Sequence, residues 1–367
     1  MKIERIILSG GGTGGHIFPA LAIANEIKNR YPTAEILFVG ALGRMEMEKI
    51  PAAGHKVIGL PVTGFPRNPS FKMITFFVKL FKSILLALKI VNDFKPQAVI
   101  GVGGYASGPL LWAAAHKKIP TLIQEQNSYA GFTNKILSKK VNVICVAYNN
   151  MERFFPADKI IFTGNPVCES LIQNRSDKAE ALVYFGLQET DKVILITGGS
   201  LGASSINNAV LKNINFIEKS GIQVIWQTGA LYYDRIIKEL QGRKPVNLQI
   251  HRFISRMDLA YQVADVVISR AGAGTISELC LLGKPSILVP SPNVAEDHQT
   301  KNAQALVEKE AAVMVLDNEI YERLLPEAIQ LINDEMRCNG LSAQIKTLAK
   351  PNATKDIVGE VEKIMCQ

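Results

Sequence analysis

Two glycine-rich turns of the same layout, about half a chain apart, constrain this sequence more than any other feature. Gly10-Gly11-Gly12-Thr13-Gly14-Gly15-His16 follows the apolar run Arg5 to Leu8, and Gly198-Gly199-Ser200-Leu201-Gly202-Ala203 follows Val193 to Thr197. Each reads as a strand feeding a helix through a phosphate-sized loop. Glycine admits φ > 0 and lets a ligand approach the main chain, while the helix that follows offers unpaired N–H groups and a positive dipole end to an anion. Two such units predict two nucleotide-binding-like domains facing one cleft.

The length of 367 residues exceeds what one core ordinarily serves and suits two domains of about 150–200 residues. Short β-branched runs alternate with helical patterns: Ile6 to Leu8, Ile36 to Val39, Ala98 to Val102, Thr121 to Gln124 and Val143 to Val146, then Val193 to Thr197, Val224 to Gln227, Leu248 to Phe253, Val266 to Ser269 and Ser286 to Val289. This rhythm predicts α/β architecture, with parallel sheets covered on both faces and ligands at the C-terminal ends of the strands. Gly164-Asn165-Pro166 is the expected linker, dividing the chain into 1–164 and 165–350, with a last helix from Ala353 to Cys366. Ile206, Val210, Ile214 and Ile217 recur at helical steps and predict one helix with a buried stripe.

Charge is unevenly divided. Residues 1–164 hold 20 Lys and Arg against 9 Asp and Glu, a net of +11, whereas residues 165–367 hold 21 against 24, a net of −3. That bias points to an anionic partner for the first half: nucleic acid, anionic lipid or a diphosphate substrate. The five cysteines are odd in number and dispersed without metal-ligand spacing, as expected of reduced thiols in a cytoplasmic protein. Lys2 and Arg5 run straight into Ile6-Ile7-Leu8, which leaves no signal-peptide apolar region and predicts a protein that is not exported.

Residues 73–91 are the most apolar stretch, interrupted by Lys79, Lys82 and Lys89. A lysine at the bilayer centre costs about 2.5–3.5 kcal/mol, which excludes a span. The lysines share one helical face, and Ile74, Phe77, Phe81, Ile84 and Leu88 lie on another. Two readings stand: a helix lying in an anionic membrane surface, to which Arg67, Lys72, Lys139 and Lys140 add, or a helix packed on the sheet.

The motifs are individually weak. Gly10-x-Gly12-x-x-Gly15 satisfies the dinucleotide fingerprint, but the second strand ends in Gly40-Ala41 with no carboxylate for a ribose, so NAD loses support. Ser269-Arg270-Ala271-Gly272-Ala273-Gly274-Thr275-Ile276-Ser277-Glu278 joins a strand to a helix. Thr275-x-x-Glu278 is a capping-box pattern, and a carboxylate there can equally accept both hydroxyls of a ribose. Gln299 in Glu296-Asp297-His298-Gln299 can read sugar hydroxyls or simply start a helix; Asp297-His298 lacks a third metal ligand. Gln124-Glu125-Gln126-Asn127 ends a strand with four polar side chains, suited to positioning a sugar, and Gly101-Val102-Gly103-Gly104-Tyr105 is a third glycine loop suited to a second anion.

In order along the chain, Gly11 to His16, Gly103-Gly104-Tyr105, Glu125-Gln126-Asn127, Gly164-Asn165-Pro166-Val167, Gly198-Gly199-Ser200 and Glu296 to Gln299 resemble the MurG family of bacterial transferases. That resemblance implies two Rossmann-like domains with a cleft between them, the GT-B glycosyltransferase fold, with the last helix returning to the first domain. It implies transfer of N-acetylglucosamine from UDP-N-acetylglucosamine to undecaprenyl-diphosphate-linked muramyl-pentapeptide (lipid I to lipid II) at the cytoplasmic face of the membrane. Neither nucleic acid nor a cofactor is implied. By carry-over, Ser200, Ala273, Gly274 and Thr275 hold the diphosphate, Ile254 bonds uracil through its main chain, and Glu278 takes the ribose. Gln299 with His298 reads the sugar, which Thr13, Gly14, Gly15 and Asn127 reach from the other domain.

Two positions depart from the family pattern: Cys168 stands where an arginine is usual, and a thiol cannot replace a guanidinium; Gln124 stands where a histidine is common. For chemistry, an acceptor hydroxyl attacks the anomeric carbon with inversion, and loop N–H groups receive the leaving diphosphate without a metal. His16 is the first choice of general base, with Glu125 as rival. Another nucleotide-sugar transferase or an epimerase of the same fold, and a non-catalytic membrane scaffold, are the alternatives.

Overall fold

The computed structural model describes residues 2–12, 14–64, 71–167, 177–243, 245–294 and 297–366, the side chains of Phe71 and Lys72 excepted. The chain divides into two compact units, residues 1–168 with 350–367, and residues 169–349. In the first, β1 (Arg5–Ser9), β2 (Glu35–Ala41), β3 (Lys56–Leu60), β4 (Ala98–Gly101), β5 (Thr121–Glu125), β6 (Val143–Val146) and β7 (Ile160–Phe162) form a parallel sheet in the order β3-β2-β1-β4-β5-β6-β7. Its helices include α1 (Gly14–Arg30), α2 (Glu46–Ala52), α3 (Phe71–Phe94), α4 (Ser107–His116) and α5 (Phe132–Leu137).

β1 is apolar on both faces because helices cover both. Ile6 and Leu8 join Ile17 and Ile23 of α1 and Ile357 and Val361 of the helix Ala353–Met365. Ile7 joins Ala87 and Val91 of α3 and Leu110 and Leu111 of α4. Each such Ile, Leu or Val side chain taken from water contributes about 1.5–3 kcal/mol. Arg30 and Tyr31 both bond the Glu362 carboxylate, at 3.0 and 3.1 Å, which ties the last helix to the end of α1.

The second unit repeats the plan with six parallel strands: β8 (Val193–Thr197), β9 (Gln223–Gln227), β10 (Leu248–His251), β11 (Val266–Ser269), β12 (Ser286–Leu288) and β13 (Val313–Met314), in the order β10-β9-β8-β11-β12-β13. In both sheets the order reverses after the first strand. Loops leaving β1 and β4, or β8 and β11, therefore diverge at the strands' C-terminal ends and open a crevice between them. The glycine turns of the sequence fall at these two switch points.

The expected strands are all present, with β10 ending at His251 rather than Phe253. β3, β7 and β13 were not expected; each is a half-exposed sheet edge, so it carries little of the apolar run that marks a central strand. The single helix expected after the second glycine turn is two, Ser204–Lys212 and Ile214–Ser220. Asn213 breaks it, donating its side-chain amide to the Ala209 carbonyl at 2.9 Å; all four residues of the stripe are buried nonetheless.

α3 divides along its length. Its later part packs on the sheet through Ser83, Ala87, Ile90 and Val91. Its earlier part presents Ile74, Phe77, Val78, Phe81 and Leu85 to solvent, with Phe77 55% and Phe81 63% exposed. Ile84 and Leu88, expected on that outer face, are half-buried, and Leu88 packs on the core. Lys79, Lys82 and Lys89 are exposed. Arg67 and the Lys72 side chain lie outside the described residues. No helix among the described residues is long and apolar enough to cross a membrane.

Candidate functional site

Two helices start at the second switch point without a side-chain cap. Ser204–Lys212 begins after Ala203 and Ala273–Leu282 after Gly272, and neither has an acidic residue in its first turn. Helix starts of this kind attract an anion. Ala273, Gly274 and Thr275 form the first turn of one; Ser200 lies in the turn before the other. That turn is held by Gln227, whose Nε2 donates to Thr197 Oγ1 at 3.1 Å and to the Gly199 carbonyl at 3.2 Å. At Gly202, with φ +81°, a Cβ would stand 2.0 Å from the Thr228 carbonyl oxygen, so no side chain fits.

Gln227 also accepts the Ile254 N–H at 2.8 Å, so main-chain bonding from Ile254 to a ligand falls to its carbonyl. Phe253 before it is 58% exposed, an aromatic face on which a base can stack; in the sequence it is indistinguishable from the end of the strand that precedes it. Arg270 ties the two helix starts together. It donates to Asp317 Oδ1 at 2.7 Å and to Ser205 Oγ at 2.6 Å, as well as to the Val289 and Pro290 carbonyls. Gln299 Oε1 accepts the Ser291 N–H at 2.9 Å, and His298 opens the helix His298–Val307. Thr13, Cys168 and Glu296 lie outside the described residues.

Glu278 is not a cap. The helix begins at Ala273, so Thr275 is its third residue rather than the N-cap, and Glu278 lies a turn further in. Its carboxylate accepts the Tyr261 hydroxyl at 2.9 Å. Burial pushes the Glu278 carboxyl up to about 7, opposed by the Tyr261 hydrogen bond, and burial together with Glu278 pushes Tyr261 well above its usual range. Additional hydroxyl donors would favour the ionised carboxylate. Among the described residues no His, Cys, Asp and Glu side chains gather in threes to hold a metal.

In the first unit, Gly14, Gly15 and His16 form the first turn of α1. His16 Nδ1 lies 2.9 Å from the Gly11 carbonyl oxygen, an arrangement that places the ring proton on Nδ1 and the basic lone pair on Nε2. The ring packs against Gly103, where φ is +101° and a Cβ would stand 2.8 Å from Nε2. At Gly104 a Cβ would stand 2.5 Å from the Gly11 carbonyl oxygen, so the first and third glycine loops interlock. Beneath them lies Glu46, a buried carboxylate that accepts the Gly12 and Ala41 N–H groups, each at 2.9 Å. β2 ends without a carboxylate, so the strand itself does not announce this one; Glu46 opens the next helix and turns back.

The Gln124 to Asn127 segment corrects an expectation. Gln124, Glu125 and Gln126 are buried rather than displayed to a sugar. Gln124 donates to Asn165 at 3.0 Å, and Gln126 donates to the Val102 carbonyl at 2.8 Å. Glu125 accepts from the Gly131 N–H at 2.9 Å, from Asn134 at 2.8 Å and from both the N–H and side chain of Asn127. Buried polar groups need partners, and these four supply one another and the loop. With both oxygens so engaged, Glu125 organises the turn and is poorly placed to take a proton. Asn127 alone of the four is half-exposed.

Comparison with known proteins agrees with the fold. The N-terminal domain of glycosyltransferase family 28 matches residues 6–146, and the C-terminal domain of that family matches residues 193–357. The UDP-N-acetylglucosamine–N-acetylmuramyl-(pentapeptide) pyrophosphoryl-undecaprenol N-acetylglucosamine transferase of Parabacteroides distasonis is 56% identical over 365 residues, covering 100% of this chain and 99% of its own. The crystal structure of Acinetobacter baumannii MurG is similar with a TM-score of 0.77 at 27% identity, over 98% of this chain and 99% of that one. The UDP-GlcNAc 2-epimerase of Neisseria meningitidis, solved with UDP-GlcNAc, shares the fold at a TM-score of 0.68 and 17% identity, over 98% and 100%.

Proposed function

The chain belongs to glycosyltransferase family 28, and we propose that it transfers N-acetylglucosamine from UDP-N-acetylglucosamine to undecaprenyl-diphosphate-linked muramyl-pentapeptide, forming lipid II from lipid I in peptidoglycan synthesis. The full-length identity of 56% with a transferase of that name carries the reading. The second unit takes the nucleotide sugar. Its diphosphate lies on the uncapped starts near Ser200 and Thr275, uracil on Phe253 and the Ile254 carbonyl, the ribose hydroxyls on Glu278, and the sugar beside His298 and Gln299.

The first unit takes the acceptor. An acceptor sugar hydroxyl attacks the anomeric carbon, the bond from that carbon to the diphosphate oxygen breaks, and the hydroxyl proton passes to His16 Nε2. Charge developing on UDP is met by the helix starts, and the product is β-linked. The Gly12 N–H is already given to Glu46, and a carboxylate under that loop disfavours a diphosphate there, which supports His16 as base rather than as an anion ligand.

The apolar exposed part of α3 with its lysines suits peripheral attachment to the anionic cytoplasmic face of the membrane. Exposed Phe132 and Ile136 on α5, beside Lys139 and Lys140, add to the same chemistry. The test is transfer of radiolabelled sugar to the muramyl-pentapeptide lipid, run against UDP-galactose and UDP-glucose with chelator present. Selective, chelator-insensitive transfer is expected. Conversion of the sugar nucleotide to its C2 epimer without acceptor, or binding without turnover, would overturn the assignment.

A further inference from the structure

We infer that Glu46 is a positioning residue for His16, acting through the peptide that joins Gly11 to Gly12. The inference rests on His16 as the general base. Gly12 N–H donates to Glu46 Oε2 at 2.9 Å, and the Gly11 carbonyl accepts from His16 Nδ1 at 2.9 Å. That N–H and that carbonyl belong to one peptide unit, so carboxylate, amide and imidazole form a single chain of hydrogen bonds. Bonds in such a chain polarise one another. The Glu46 charge makes the Gly11 oxygen a stronger acceptor, which holds the proton on Nδ1 and stabilises the imidazolium formed when Nε2 takes the acceptor's proton. No proton crosses the peptide. The arrangement does for His16 what a directly bonded carboxylate does in a hydrolase triad, with one amide interposed.

The surroundings are shaped for it. A Cβ at Gly11 would stand 2.1 Å from Glu46 Oε1, and one at Gly40 would stand 2.4 Å from its Cγ, so both glycines make room for this side chain. Glu46 is 1% exposed, and Oε1 is held by the Ala41 N–H. The Gly103 backbone lies against the ring, where a Cβ would stand 2.8 Å from Nε2. The carboxylate of β5, Glu125, is turned to Gly131 and Asn134.

The experiment is a double-mutant cycle of Glu46→Gln and His16→Ala in the full-length enzyme with lipid acceptor, read as kcat and as the pH profile of kcat/KM. His16→Ala should lower kcat by roughly 10²–10⁴-fold; a near-normal kcat removes the base and the relay with it. Glu46→Gln should lower kcat by about tenfold and move the acid limb of the profile to lower pH by about half a unit, with no further loss in the His16→Ala background. Independent losses that multiply, with an unmoved acid limb, would overturn the relay while leaving His16 as base. Should Glu46→Gln not fold, nitrogen-15 NMR of the wild-type protein decides: the Gly12 amide must shift as His16 titrates and His16 must carry its proton on Nδ1, and a silent Gly12 or the other tautomer refutes the coupling.

Discussion

Replacing Glu278 by Gln should stabilise the free protein at alkaline pH while weakening nucleotide binding. Gln keeps an oxygen for the Tyr261 hydroxyl, which Glu278 accepts at 2.9 Å, and removes only the charge. The carboxyl is raised from 4.5 to about 7 by burial, so the folded state holds a proton that the unfolded chain has lost. Stability attributable to this group is full below about pH 4.5, falls as pH rises, and is lost above about pH 7. At 1.36 kcal/mol per pH unit the loss is at most about 3 kcal/mol; because Glu278 retains some exposure, about 1–2 kcal/mol is expected after screening. For a unit of this size that is a gain in Tm of roughly 2–8 °C at pH 8, much smaller at pH 5 and vanishing below about pH 4.5.

Ligand binding carries the opposite sign. Ribose hydroxyls need acceptor oxygens, and the ionised fraction rises from roughly a tenth at pH 6 to nine-tenths at pH 8, so UDP should bind the wild-type protein about tenfold more tightly at pH 8. The variant should bind weakly at both. Calorimetry of both proteins at pH 5 and 8, with UDP titrations at pH 6 and 8, tests both halves. A Tm difference that is the same at both pH values, or a wild-type affinity that does not change, would refute the reasoning.

Other expectations follow from single contacts. Gly103→Ala puts a Cβ 2.8 Å from the His16 ring at φ +101°; it should cost about 1–3 kcal/mol of stability and roughly 10²-fold in kcat while leaving the Kd for UDP-N-acetylglucosamine unchanged. Phe77→Ser with Phe81→Ser, at positions 55% and 63% exposed, should lower binding to anionic vesicles by at least about tenfold, with unfolding free energy altered by about 0.5 kcal/mol or less per site. Arg270→Met leaves Asp317 without its 2.7 Å partner and should destabilise the second unit by about 2–4 kcal/mol in urea unfolding, part of which Asp317→Asn in the same chain should restore.

The two central sheets were legible because β1, β4, β8 and β11 are buried on both faces, so their apolar runs are continuous, and those of β1, β4 and β8 lead directly into glycine. Edge strands β3, β7 and β13 bury one face or less and leave no such run. The site divides in the same way. Glycine positions announce close approach of other groups to the backbone, and that was readable at Gly10 to Gly15 and at Gly198 to Gly202. Glu278 was also visible, but periodicity allowed a cap as readily as a ligand.

What a polar side chain does depends on which neighbour reaches it, and that is set across the fold. Tyr261, on another helix, turned Glu278 from a cap into an enclosed carboxyl. Asn134, Asn165 and Val102 consumed Glu125, Gln124 and Gln126, which the linear chain shows only as four adjacent polar residues. Glu46 is separated from His16 by 30 residues of sequence, yet the return of the chain after β2 places it beneath the same peptide that His16 bonds from above. Composition and pattern determined the two parallel-sheet domains, because burial on both sides of a strand is written into consecutive residues. Tertiary packing alone decided which neighbours occupy each carboxylate, because a hydrogen bond is a matter of a few ångströms in space and has no fixed spacing along the chain.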